Sequence, residues 1–392
     1  MKKINLLLTA LVLLCAACRS YDCRLLSRDL SGVEGRELSN RYVSFEVAPK
    51  ASGALVGINY LPLQKQLCTP FSYKVQTDDL IPDRVETSRG GARILLWGEK
   101  NLKSQEMFIS REDSSARQCV LELYNPFYQG KELSLTRSFS ISKNQAALQV
   151  TLLAENKSKR SIDFTLWENM VVQLDAQSAD TIILPGRGNV ERIGRKGMQR
   201  LKQDAIFLDD DSVFDKEVCV APARNWIARR NPASSLILAL RSNYEDIYPN
   251  GFFYTWQQQA GSPLHTMELI FNPQSLEPGE SKQYRLDYLF FHGLPGLHEI
   301  CGDVGLYATV EKQELAVLLN CINVGQLKSL KLVLSDSQGQ ELQLDERLIN
   351  FDEPTKTKRE AYSLAGLPPG SYRLRGSLDH EEFELLPEII VP

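Results

Sequence analysis

Apolar side chains recur at every second position through much of the chain between residues 40 and 300, and no segment there reads as a long amphipathic helix. Val43, Phe45 and Val47 alternate with Tyr42, Ser44 and Glu46. Leu133, Leu135, Arg137, Phe139 and Ile141 share one side of a later segment. Leu148, Val150, Leu152 and Ala154 follow, and after a polar turn at Asn156 to Lys159 come Ile162, Phe164 and Leu166. Such a period places one face of each strand in a core and leaves the other toward solvent. Many strands joined by polar turns predict a large antiparallel sandwich or barrel.

The pattern changes near residue 300. Short strands are expected at Leu315–Leu319, Leu330–Leu334 and Glu341–Leu344, and Leu367-Pro368-Pro369-Gly370 makes a tight turn. The last 90 or so residues match the size of one immunoglobulin-like sandwich. From Asp303 onward there are 15 acidic and 9 basic residues, so this module is acidic.

The N-terminus sets an expectation of compartment. Lys2 and Lys3 precede an apolar run from Ile4 to Leu14, too short to span a bilayer and suited to a signal peptide over residues 1–17. Ala16-Ala17-Cys18 resembles a bacterial lipoprotein cleavage box, with Cys15 where an aliphatic residue is usual. Cys18 is therefore the expected lipidation site, residues 18–37 a linker, and the bacterial cell envelope the expected location. Six cysteines remain after Cys18, with no zinc-like spacing, and read as buried thiols. Formal net charge is −4, which argues against a general nucleic-acid binder.

Three passages resemble the galactose-mutarotase-like superfamily. They are Leu38 to Pro49 with Ser52 to Val56, Leu135 to Phe139 with Leu148 to Asn156 and Ile162 to Trp167, and Leu276 to Glu280 leading to Tyr284 and Tyr288. The resemblance brackets residues 38–293 and implies an all-β chain: a large antiparallel two-sheet supersandwich over 38–300, then a small immunoglobulin-like β-sandwich over 301–392. It also implies a concave face of the kind that holds sugars, but fold does not assign a reaction.

Aldose epimerisation needs a general acid and a general base across the sugar ring oxygen. Where the family offers a His after Leu166-Trp167, this chain has Glu168-Asn169. Glu268 resembles the family's base, and His265 and Glu168 complete the candidate catalytic set. In a regular strand His265 and Glu268 point to opposite faces and cannot share a cleft without a bulge.

Residues 187–202 carry a net +5 in a Gly-rich context. Arg187, Arg192, Arg195 and Arg224, with Trp226, Trp256 and Trp167, form the candidate ligand-binding set, since guanidinium forks grip carboxylates and sulfates and indoles stack on sugar rings. Tyr254 alternates onto the side of Trp256. Asp209-Asp210-Asp211 reads as a solvated turn rather than a metal site. No serine-hydrolase elbow, phosphate loop or zinc-protease motif occurs, and no cofactor or metal is expected. The resulting expectation is an envelope lipoprotein that binds a carbohydrate, including an acidic glycan, in its concave face. A carbohydrate-active lyase, hydrolase or epimerase and a noncatalytic protein-interaction module are the alternatives.

Overall fold

The alternation in Leu133–Ser142 and Ala147–Asn156 builds two paired antiparallel strands whose odd and even members, respectively, enter the core. A computed structural model describes residues 23–30, 32–67, 73–78, 81–87, 91–98, 106–175, 178–192, 197–210, 217–258, 265–385 and 388–391. The expected lipidation site Cys18 and the signal peptide lie outside them.

Most of the described residues up to His292 belong to one 20-stranded antiparallel sheet folded into two layers. One layer runs from Phe108–Ser114 through Gln118–Asn125, Leu133–Ser142, Ala147–Asn156, Ser281–His292 and Leu236–Ser242 to Trp226–Asn231. The other runs from Arg24–Asp29 through Glu34–Ser39, Val43–Ala48, Ala54–Tyr60, Gly91–Leu96, Leu166–Val171, Met267–Ile270 and Phe252–Trp256 to Glu217–Pro222. The long strand Thr181–Arg192 belongs to both. Its first residues pair with Ala228–Arg230 in one layer, and its later ones with Val218–Pro222 in the other.

Aromatic rings fill the space between the layers. Tyr60 stacks on Phe290 at 5.6 Å, and Phe45 meets Tyr288 and Phe290 at 6.4 and 6.0 Å. Each such ring, fully buried, contributes about 1.5–3 kcal/mol relative to exposure. Asn156 fixes the turn after its strand. Its Nδ2 donates to the carbonyls of Arg160 and Leu276, and its Oδ1 accepts from Ser158 N.

Two expectations are corrected. Residues 24–37, within the expected 18–37 linker, form with Leu38 and Ser39 a hairpin that pairs with Val43–Ala48. Its outer strand, Arg24–Asp29, is mostly exposed because it lies at the sheet edge, where Arg28–Glu37 and Arg36–Glu112 ion pairs cover the hairpin surface. A division at residue 300 would cut the strand Glu299–Cys301, which pairs with Val304–Glu311 in the C-terminal block. That block holds a four-stranded and a six-stranded sheet around their own apolar cluster, including Leu306, Val317, Leu332 and Leu374. Glu299 ties it to the first block. Trp226 Nε1 donates to Glu299 Oε1 at 3.0 Å, and Arg224 Nε donates to Glu299 Oε2 at 2.6 Å.

The described cysteines, Cys23, Cys119, Cys219, Cys301 and Cys321, carry free thiols. Among the described residues, no helix is long and apolar enough to cross a membrane.

Candidate functional site

Four adjacent strands of the second layer, Gly91–Leu96, Leu166–Val171, Met267–Ile270 and Phe252–Trp256, decide the site by their register. Arg93, Asn169, Glu268 and Tyr254 are direct cross-strand neighbours, forming one row across the sheet. Neighbouring strands lie roughly 5 Å apart, so these four polar groups share one surface. Along each strand the same face carries Trp97 after Arg93, Trp167 and Val171 around Asn169, Thr266 before Glu268, and Trp256 after Tyr254. These side chains line a cleft of about 310 Å³, within the range of small-molecule sites. The intervening residues, Ile94, Leu96, Leu166, Met170, Phe253 and Leu269, face the core and are fully or almost fully buried.

The cleft wall is aromatic. Trp97 makes edge-on contacts with Trp167 at 5.0 Å, Phe252 at 5.4 Å and Tyr254 at 5.5 Å. Trp97 itself is 37% exposed. The floor is polar. Glu268 is 1% exposed, and its Oε2 is buried without a hydrogen-bond partner among the described residues. Burial pushes the Glu268 carboxyl up to about 7. Thr266, Asn169, Trp167 and the Arg93 charge oppose that rise by favouring the ionised form. Burial likewise pulls the Arg93 guanidinium below its ordinary value, yet arginine stays charged at any ordinary pH. The Tyr254 phenol is pushed upward by burial and by the Glu217 and Glu268 charges, so it remains a neutral hydrogen-bonding group.

The sequence-derived candidates separate along the pleat. Glu268, Trp167 and Trp256 line the cleft. Glu168, one residue from Trp167, points the other way into the core, where it accepts from Tyr288 Oη and faces Arg137 at 3.5 Å. The strand period forces this, because consecutive side chains cannot share a face. His265 is fully buried and bonds through Nε2 to Asp209 Oδ2 at 2.7 Å. The same aspartate accepts from Thr255 Oγ1, which lies on the face opposite Tyr254. Asp209 is thus an interior acceptor rather than part of a solvated turn, and Asp211 lies outside the described residues. Among the described residues, no group of His, Cys, Asp and Glu is arranged to hold a metal.

The basic set does not converge on the cleft. Arg187 forms a two-pronged bridge to Asp204, at 3.0 and 2.7 Å. Arg192 lies over the Phe207 ring at 4.7 Å. Arg224 and Trp226 are held by Glu299, and Trp226 is fully buried because its strand belongs to the other layer. Arg195 lies outside the described residues. Sequence reasoning missed Arg93, Trp97, Asn169 and Thr266 as lining residues. For Arg93 and Trp97 the available signal was alternation within Gly91–Trp97, where Arg93, Leu95 and Trp97 share a side.

Fold and cleft together define a two-layer antiparallel supersandwich with an aromatic, carboxylate-bearing hollow on one sheet. The chain has the fold of the galactose mutarotase-like proteins. A galactose mutarotase-like protein from Clostridium acetobutylicum superposes with a TM-score of 0.50 at 8% identity, covering 69% of this chain and 99% of that one. Galactose 1-epimerase from Lactobacillus acidophilus aligns with a TM-score of 0.46 at 10% identity over 70% of this chain and 100% of its own. A putative aldose 1-epimerase from Escherichia coli K12 aligns at 0.42 and 11% identity over 69% and 99%. No family model and no curated protein sequence matches the chain.

Proposed function

We propose that the chain is a saccharide-binding protein that seats a neutral sugar ring against Trp167 and Trp256, with Glu268 and Arg93 as polar anchors. The observation that carries this reading is the buried Glu268 Oε2, without a hydrogen-bond partner among the described residues, at the floor of an aromatic cleft. A sugar hydroxyl supplies the missing donor, and a charge-assisted bond of this kind is about twice as strong as a neutral one. The apolar faces of the ring fit the indoles. The ligand is neutral because Arg93, the one cation among the described lining residues, is offset by Glu268, whose carboxylate feels its charge across Asn169. Lipidation at Cys18 would hold this binder at the bacterial cell envelope.

Catalysis is the second reading, favoured by a Glu268 carboxyl poised near 7, where a general base works best. Epimerisation also needs an acid on the far side of the ring, and glycosidases need a second carboxyl group. Among the described lining residues Glu268 is the sole carboxylate and no histidine joins it. Binding is therefore the function the geometry supports best.

A panel of monosaccharides and short neutral oligosaccharides, read by thermal shift, tests it. Binding to the native state raises the melting temperature by mass action. Trp167→Ala and Trp256→Ala should each weaken the best ligand by about tenfold, in keeping with an aromatic contact of about 1–1.5 kcal/mol. A panel with no shift at millimolar sugar would end the proposal. Accelerated anomer exchange of a bound sugar by NMR, lost in Glu268→Gln, would move the assignment to the enzyme reading.

A further inference from the structure

We infer that the ligand is a chain of sugars rather than a single ring, because a second groove adjoins the aromatic cleft at Trp97. This rests on the saccharide reading above and deepens it. The second groove has a volume of about 520 Å³ and shares Trp97 with the first. It is bordered by Lys131, Asp163, Thr165, Gln274 and Ser275.

The two hollows differ in chemistry. The first presents indole and phenol rings over a buried carboxylate. The second adds hydroxyl, amide and carboxylate groups of Thr165, Ser275, Gln274 and Asp163 to the apolar Leu96, Phe164 and Pro273, at the strand pair Ile162–Phe164 and Gln274–Leu276, where Asp163 lies directly opposite Ser275. Asp163 and Ser275 are exposed, and Gln274 is half-buried. Such groups match a ligand that carries hydroxyls on both edges of every unit, whereas a compact apolar ligand would leave them unused.

Trp97 is the hinge between them. Its backbone N–H donates to Thr165 O at 2.9 Å, fixing the residue to the neighbouring strand at the head of the second groove. The rings of Trp167, Phe252 and Tyr254 meet it at interplanar angles of 85°, 83° and 70°, so none of the three lies parallel to it. An indole buttressed edge-on and more than a third exposed forms a rigid platform at the boundary of two hollows. A sugar unit over Trp97 would have its neighbours directed one way toward Glu268 and the other toward Asp163 and Gln274.

Titration calorimetry of the full chain with malto-, cello-, xylo- and chito-oligosaccharide ladders, from monosaccharide to tetrasaccharide, tests the inference. For the ladder that binds, affinity should rise at least about tenfold between monosaccharide and trisaccharide. The double variant Asp163→Ala with Gln274→Ala should abolish that rise and leave monosaccharide affinity and melting temperature unchanged. A monosaccharide that binds as tightly as its longer relatives overturns this inference and leaves the binding function standing. A rise that survives in the double variant overturns the groove assignment. Failure of every ladder to bind the wild-type chain removes both.

Discussion

Replacing Glu168 with alanine is expected to destabilise the fold by about 3–5 kcal/mol, because it strands the charge of Arg137 in the core. Both side chains are fully buried, 3.5 Å apart between guanidinium Nη2 and carboxylate Oε2. Arg137 Nη1 donates to Gly53 O at 2.9 Å, and Tyr288 Oη donates to Glu168. Arg137 Nε has no hydrogen-bond partner among the described residues, so Glu168 is the main compensation for its charge there. Desolvation raises the Glu168 carboxyl above its ordinary value, while Arg137 and Tyr288 oppose that rise. The double change Arg137→Met with Glu168→Leu should recover most of the loss, since removing both members of a buried pair is often neutral. Urea unfolding of the three variants reads the result. A loss below about 1 kcal/mol for Glu168→Ala would show that the pair carries no net weight.

The second large effect concerns Glu268 and pH. Its carboxyl titrates near 7 in the folded chain and near 4.5 when unfolded. The folded state therefore holds this proton more tightly. The stability it confers is complete below about pH 4.5 and is lost as pH rises through 7. A shift of this size corresponds to about 3 kcal/mol. Glu268→Gln should flatten that part of the stability profile, measured by denaturant unfolding at a series of pH values. Saccharide affinity should move the opposite way. The ionised carboxylate accepts a sugar hydroxyl best, so binding strengthens through pH 7 in the wild type and becomes pH-independent and weaker in the variant. An unchanged binding profile in Glu268→Gln would remove this carboxylate from the site.

Most strands were legible because alternation is a direct imprint of a half-buried sheet. The segments at Val43–Ala48, Leu133–Ser142 and Ala147–Asn156 show it most clearly. The edge hairpin Arg24–Ser39 was not legible, since an edge strand carries charge on faces that a central strand would bury. The same period separates Trp167 from Glu168, but it does not say which side is the cleft. That depends on which face meets the other layer, a property of pairings more than 100 residues apart, such as Tyr288 with Glu168. Trp226 illustrates the limit. Its composition suits a sugar platform, yet its strand lies in the other layer and its indole is spent on Glu299. Arg93 and Trp97 come from an apolar run without a motif, and only the register with Asn169 and Glu268 brings them into use.

The strand Thr181–Arg192 has a mechanical consequence. Because one continuous backbone is stitched into both layers, peeling either layer away tears ladder bonds in the other. The sandwich cannot open like a book along that margin. The two-layer body is thereby a stiff chassis beneath the hollow.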